Sequence, residues 1–199
     1  MQAVAKYGKM NEKRGYDEED EMTVKKKSSL HILLLEGADK ARIADTAALA
    51  WNIWHEHYDP ILGAAQVDYM IERFQSPAAI EDQIAHGYIY DLAVVAGCTV
   101  GFFAYYFRED VLYLSKLCLV KEARGKGYAR EILTYLVGKA RAAALPAIEL
   151  NVNKHNDSSI AAYEKLGFRR LRTEKIDIGN GYYMDDYVYR LDIVMGEKA

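Results

Sequence analysis

Two cysteines in 199 residues are too few to staple a small domain. Cys98 and Cys118 both sit in apolar runs and are read as reduced thiols, small hydrophobes in a reducing, cytoplasmic setting. An excess of charge of one sign is also lacking. The formal net charge is −3, and without a basic surplus a nucleic-acid partner is not expected. No long hydrophobic run is present. Residues 92–107 are shorter than the ~18–20 a spanning helix needs, and Gly97 and Gly101 interrupt them, so they read as two strands and no membrane partner is expected. Residues 1–27 have no apolar core of a secretory signal.

What is present is an apolar half, enough for one sizeable core, and 16 tyrosines, residues that suit pocket walls as well as half-buried packing. The acidic run Asp17–Glu21 and the basic Lys25–Lys27 mark residues 1–27 as a charged, flexible tail. Residues 28–199 form the expected domain.

Apolar spacing predicts a strand over 32–35, a helix over 38–58 stopped by Asp59-Pro60, and a second helix over 66–74. Ser76-Pro77 opens a third, with Ser76 as N-cap. Strands follow over 88–95, 98–107 and 111–120, separated by short turns, which implies an antiparallel meander. A glycine-bearing loop leads into a helix over 128–143. Then come a strand over 147–152, a helix over 158–166 ended by Gly167, and strands over 168–178 and 182–194 joined by Gly179-Asn180-Gly181. This order is a mixed α/β domain with a largely antiparallel sheet.

The chemistry concentrates at Leu117-Cys118-Leu119, the loop Arg124-Gly125-Lys126-Gly127 and the helix start Tyr128-Ala129-Arg130. The first N–H groups of a helix have no partner inside it, and the helix dipole favours an anion there. Gly125 and Gly127 let a diphosphate approach the backbone, and Arg124, Lys126 and Arg130 add positive charge. The spacing is neither that of a P-loop nor that of the dinucleotide fingerprint.

Arg124-x-x-Gly127-x-Ala129 after a Leu/Val-rich strand resembles the acyl-CoA motif of the GNAT superfamily of N-acetyltransferases. Asn156, followed by a helix ending Tyr163-Glu164-Lys165-Leu166-Gly167-Phe168, resembles the superfamily's second hallmark. The resemblance implies an α+β fold with a mostly antiparallel sheet of about seven strands flanked by helices. It also implies a splay between the strands on either side of the glycine-loop helix. It implies acetyl-CoA as co-substrate, with no metal and an amine as acceptor: a small polyamine or amino compound, or a protein amine. Backbone groups of Leu117 and Leu119 would hold the pantetheine and the acetyl carbonyl, and Asn156 the cofactor arm. Tyr163 would be the general acid that protonates the leaving thiolate. Many members form homodimers through their C-terminal strands.

The general base is not evident. Tyr113, Ser115, Glu149 and the cluster His55-Glu56-His57-Tyr58 are candidates. Glu149 and Asn151 share a polar strand face, expected to be solvent-facing or hydrogen-bonding. The two histidines lie on different helix faces, which argues against a metal. Asp185 and Asp186 are candidates to bind a cationic acceptor, although paired Asp in a strand also fits an exposed edge. Two other readings stay compatible with these residues: a non-catalytic acyl-CoA-binding or regulatory module on the same fold, and a nucleotide-binding regulator using the glycine loop alone.

Overall fold

The computed structural model describes residues 29–194, so the charged tail expected over 1–27 lies outside the described residues. The elements are β1 (Leu30–Leu34), α1 (Lys40–Leu62), α2 (Ala64–Gln75), α3 (Pro77–Ala85), β2 (Ile89–Val95), β3 (Cys98–Phe107) and β4 (Leu112–Leu119). After them come α4 (Tyr128–Ala142), β5 (Ala147–Asn153), α5 (Asp157–Lys165), β6 (Arg169–Gly179) and β7 (Tyr182–Asp192).

The seven strands form one sheet in the order β1-β2-β3-β4-β5-β7-β6. Every neighbouring pair is antiparallel except β4 and β5. Strand alternation divides the core. Phe102 and Ala104 of β3 face α1 and α3 with Ile43, Ala50 and Ile80, whereas Phe103 and Tyr105 face α4 with Ile132 and Leu136. All of these are essentially removed from water. Each large apolar side chain buried this way contributes on the order of 1.5–3 kcal/mol.

Local chemistry starts the helices. Asp39 accepts the Arg42 N–H at α1, Ser76 accepts the Ala79 N–H with Pro77 at the first position of α3, and Asn156 accepts the Ser159 N–H at α5. The stop expected at Asp59-Pro60 does not occur. Pro60 removes one ladder hydrogen bond, but α1 runs on to Leu62 because Tyr58 and Leu62 pack against Val67 and Met70 of α2. Gly63, at φ 83°, then ends it.

Two surface expectations also change. Cys98 is exposed rather than packed, because it opens the turn-side end of β3. The Asp185-Asp186 pair does not lie on an edge strand, because β7 pairs with β5 on one side and β6 on the other.

Candidate active site

The parallel contact between β4 and β5 is short. Only Leu112 with Ile148 and Tyr113 with Glu149 are in register. On its other side β4 carries a bulge: Ala104 faces Lys116 and Tyr105 faces Leu114, which leaves Ser115 without a partner. A bulge bends its strand and sharpens the local twist. Beyond it β4 stays with β3 and leaves β5, so the sheet opens into a splay. The Val120 N–H bonds back to the Val100 carbonyl of β3. By alternation, the N–H and C=O groups of Leu117 and Leu119 point the other way, into the splay.

The loop after β4 passes through a short 3-10 turn, Lys121–Ala123, and enters α4 at Gly127. Gly125 and Gly127 have φ of 73° and 88°, values that an L side chain adopts only under strain. Lys126 and Arg130 are exposed at the loop, and Tyr128 and Ala129 turn inward. Arg124 is engaged elsewhere. Its Nε donates to the Leu119 carbonyl at 3.0 Å, and its guanidinium pairs with Glu56 of α1 at 2.6 Å. Glu56, one of the candidate bases, therefore braces the loop.

On the α1–α2 side of the splay is a cavity of about 540 Å³. Tyr58, Cys118, Asn156 and Tyr163 line its inner end. The Trp54 indole donates to Cys118 Sγ at 3.4 Å. Burial pushes the Cys118 thiol up to about 11. Burial, and then the nearby Cys118, raise the Tyr163 phenol well above its ordinary value, and burial likewise raises Tyr58. The Tyr163 ring stands edge-on to Phe168, which fixes its direction. Asn156 Oδ1 caps α5 and also meets His57 Nε2 at 3.1 Å. Its buried Nδ2 lies beside the Tyr58 oxygen without closing a full hydrogen bond.

The candidate bases separate. Tyr58, Tyr113 and Ser115 line the cavity. Glu149 is neither there nor solvent-facing, because it is buried against Arg190 at 3.0 Å. His55 is held by Asp59, and His57 by Asn156. Asp186 lines the cavity, almost fully buried, and its carboxyl is pushed up to about 6. Burial is the main cause, and the like charges of Asp185 and Glu174 add to it, with Asn151 pulling the other way. Lys116 also lines the cavity. Sequence reasoning passed over it, although it is the one charged residue in the 111–120 run.

A seven-stranded mixed sheet, splayed at its one parallel pair with a glycine loop and helix at the mouth, is the fold of the acyltransferases that the two sequence motifs resemble. The model of the acetyltransferase (GNAT) family matches residues 49–168. The chain belongs to that family. A chloroplastic GCN5-related N-acetyltransferase 6 of Arabidopsis thaliana is 32% identical over 79 residues, which is 40% of this chain and only 26% of that protein. The PaiA N-acetyltransferase of Thermoplasma acidophilum, solved in complex with coenzyme A, superposes with a TM-score of 0.68 at 18% identity, covering 82% of this chain and 99% of that one. A GCN5-related N-acetyltransferase of Rhodopseudomonas palustris gives 0.69 at 14% identity, covering 84% and 98%. At these identities the structural likeness establishes the fold.

Proposed function

We propose that the protein transfers an acetyl group from acetyl-CoA to a primary amine by direct attack. The observation that carries this reading is the splay. Beyond Tyr113 it leaves β4 without β5 as a strand partner, so the backbone groups of Leu117 and the N–H of Leu119 face the splay, and the cavity lined by Tyr163 lies against the same stretch of β4. The diphosphate is assigned to the N–H groups at the start of α4, with Lys126 and Arg130 as its cations. The loop's positive-φ glycines suit that role, and a β-carbon at Gly125 would meet only open space. Arg124 is assigned to bracing the loop through Glu56 and Leu119 rather than to direct phosphate contact. The unpartnered Asn156 Nδ2 is a ready donor to the pantetheine arm.

The amine nitrogen attacks the thioester carbonyl carbon. Negative charge moves to the carbonyl oxygen, where an N–H in the splay stabilises it. One such donor contributes ~3 kcal/mol to lowering the barrier. The C–S bond then breaks, Tyr163 gives its proton to the departing sulfur, and the proton of the amine passes to Asp186. An ordinary phenol is a weaker acid than an ordinary thiol. Burial raises the Tyr163 phenol and the Cys118 thiol in the same cavity alike, so the phenol stays the weaker acid there. Its proton therefore passes as the C–S bond breaks and negative charge builds on sulfur. The reading includes a cytoplasmic setting, in keeping with two free thiols, and a homodimer through the edge strand β6, where Leu171 is exposed.

Acetyl-CoA at millimolar concentration is expected to raise the melting temperature by several degrees through mass action; an unmoved transition would remove the donor assignment. An amine screen read by thiol release then tests the transfer itself. Gly127→Asp, which sets a carboxylate against the phosphates, is expected to weaken acetyl-CoA binding by about tenfold or more in calorimetric titration. Unchanged affinity would contradict the placement of the diphosphate.

A further inference from the structure

Lys116 lies on the cavity floor, and its ammonium has no acid beside it. Its Nζ donates to Gln83 Oε1 at 2.7 Å and to Ser115 Oγ at 3.3 Å, and it stands 5.2 and 5.3 Å from the centroids of the Tyr88 and Tyr90 rings. None of the ion pairs among the described residues includes it. Burial without a counter-ion draws its pKa down to about 8. Arg73 lines the same cavity, and its hydrogen bonds also go to neutral oxygens, the Tyr69 hydroxyl and the Ile178 carbonyl. Of the acids along this cavity, Asp82 is exposed and turned to His86, and Asp186 belongs to the β7 wall across the splay. A half-buried ammonium held by neutral groups in an open cavity is destabilised until an anion reaches it.

We propose that Lys116 anchors a carboxylate on the acceptor, so that the substrates are amino carboxylates rather than plain amines or polyamines. This rests on the acetyl-transfer reading above. Lys116 precedes Cys118 by two residues on the same strand face, about 6.6 Å along β4. An anion on Nζ therefore leaves the acceptor's amine within one short molecule's length of Leu117. A cavity of about 540 Å³ is the right size for one amino-acid-sized acceptor beside the acetyl group. Two cations without acid partners also disfavour a polycation in the same space.

The test pairs each amine with its carboxylated counterpart: tyramine with tyrosine, agmatine with arginine, putrescine with ornithine. Thiol release is measured at saturating acetyl-CoA. The carboxylated member of at least one pair is expected to show kcat/KM higher by about tenfold or more, the size of one charge-assisted hydrogen bond. Lys116→Met is expected to abolish that preference by raising KM about 10- to 100-fold for the carboxylated member, with kcat within about threefold and the plain amine unaffected. Lys116→Arg should retain the preference. A retained thermal shift with acetyl-CoA certifies that Lys116→Met is folded. Equal kcat/KM within every pair, or the same preference in Lys116→Met, overturns the proposal. If no amine is acetylated, the transfer reading itself has failed, and binding decides the anchor separately. N-acetyltyrosine should bind the wild type about tenfold more tightly than N-acetyltyramine and bind Lys116→Met no better; equal binding to the wild type overturns the anchor.

Discussion

Tyr163→Phe is expected to lower kcat by about 10²-fold or more while acetyl-CoA binds with unchanged affinity. The substitution removes one oxygen and keeps the ring that packs edge-on against Phe168, so the fold has no reason to change. The loss should fall on acyl transfer rather than on binding, because the hydroxyl acts only once charge has built up on sulfur. The phenol's raised pKa adds a second signature: Tyr163 keeps its proton throughout the neutral range, so it should produce no alkaline fall in rate below pH 10. Single-turnover measurements beside calorimetric titration check both points. A Phe variant with wild-type kcat would exclude Tyr163 as the acid.

Asp186→Asn should change activity and stability in opposite directions. Burial raises the Asp186 carboxyl from its ordinary value to about 6. The folded protein therefore holds this proton more tightly than the unfolded chain does. The stability it contributes is fully present below pH 4 and is lost as pH rises to about 6, beyond which the ionised group carries a constant penalty of up to about 3 kcal/mol. Asparagine removes that penalty. At pH 8 the variant should melt above the wild type, and at pH 4 the two should coincide. Loss of the base should lower kcat/KM by about 10²-fold and erase the acidic limb near pH 6 from the rate profile. Melting curves and rate profiles from pH 4 to 9 test both halves. An active variant with its acidic limb intact would exclude Asp186 as the base, and no gain at pH 8 would contradict the strained carboxyl. The group that destabilises the folded state is thus also the one placed to work near neutral pH, a common property of functional sites.

Much of the fold was legible because local chemistry and tertiary packing agree. The short turns at Ala96-Gly97 and Glu109-Asp110 predict the β2–β4 meander, and apolar spacing predicts α1 and α2. Where packing opposes a local signal, it prevails. Tyr58 and Leu62 carry α1 past Pro60. Cys98 resembles Cys118 in its neighbours, yet it is exposed at a strand end while Cys118 is half-buried and lines the cavity.

The site divides in the same way. The loop from Arg124 to Arg130, Asn156 and Tyr163 could be singled out because their spacing is local: a strand, a turn and a helix start, then a capped helix. Arg124 has its own lesson, since its chemistry suggested a phosphate while Glu56, distant in the chain, takes up its guanidinium. The roles of Asp186, Glu149 and Lys116 depend on which strands become neighbours. In the chain, Asp185-Asp186 fits an exposed edge or a cationic-acceptor site, and Glu149 a solvent-facing or hydrogen-bonding position; strand pairing buries Asp186 and sets Glu149 against Arg190.

By itself the sequence determined the family, the order of elements and the place where a helix start can receive an anion, because each rests on residues close together in the chain. Only the tertiary structure decided the surroundings of Asp186 and Lys116, on which the proposed base and the proposed acceptor anchor rest. The insertion of β7 between β5 and β6 buries Asp186, and the bulge at Ser115 opens the splay beside Lys116. Burial sets the proton affinity of both, and burial is a property of strands brought together from far apart in the chain.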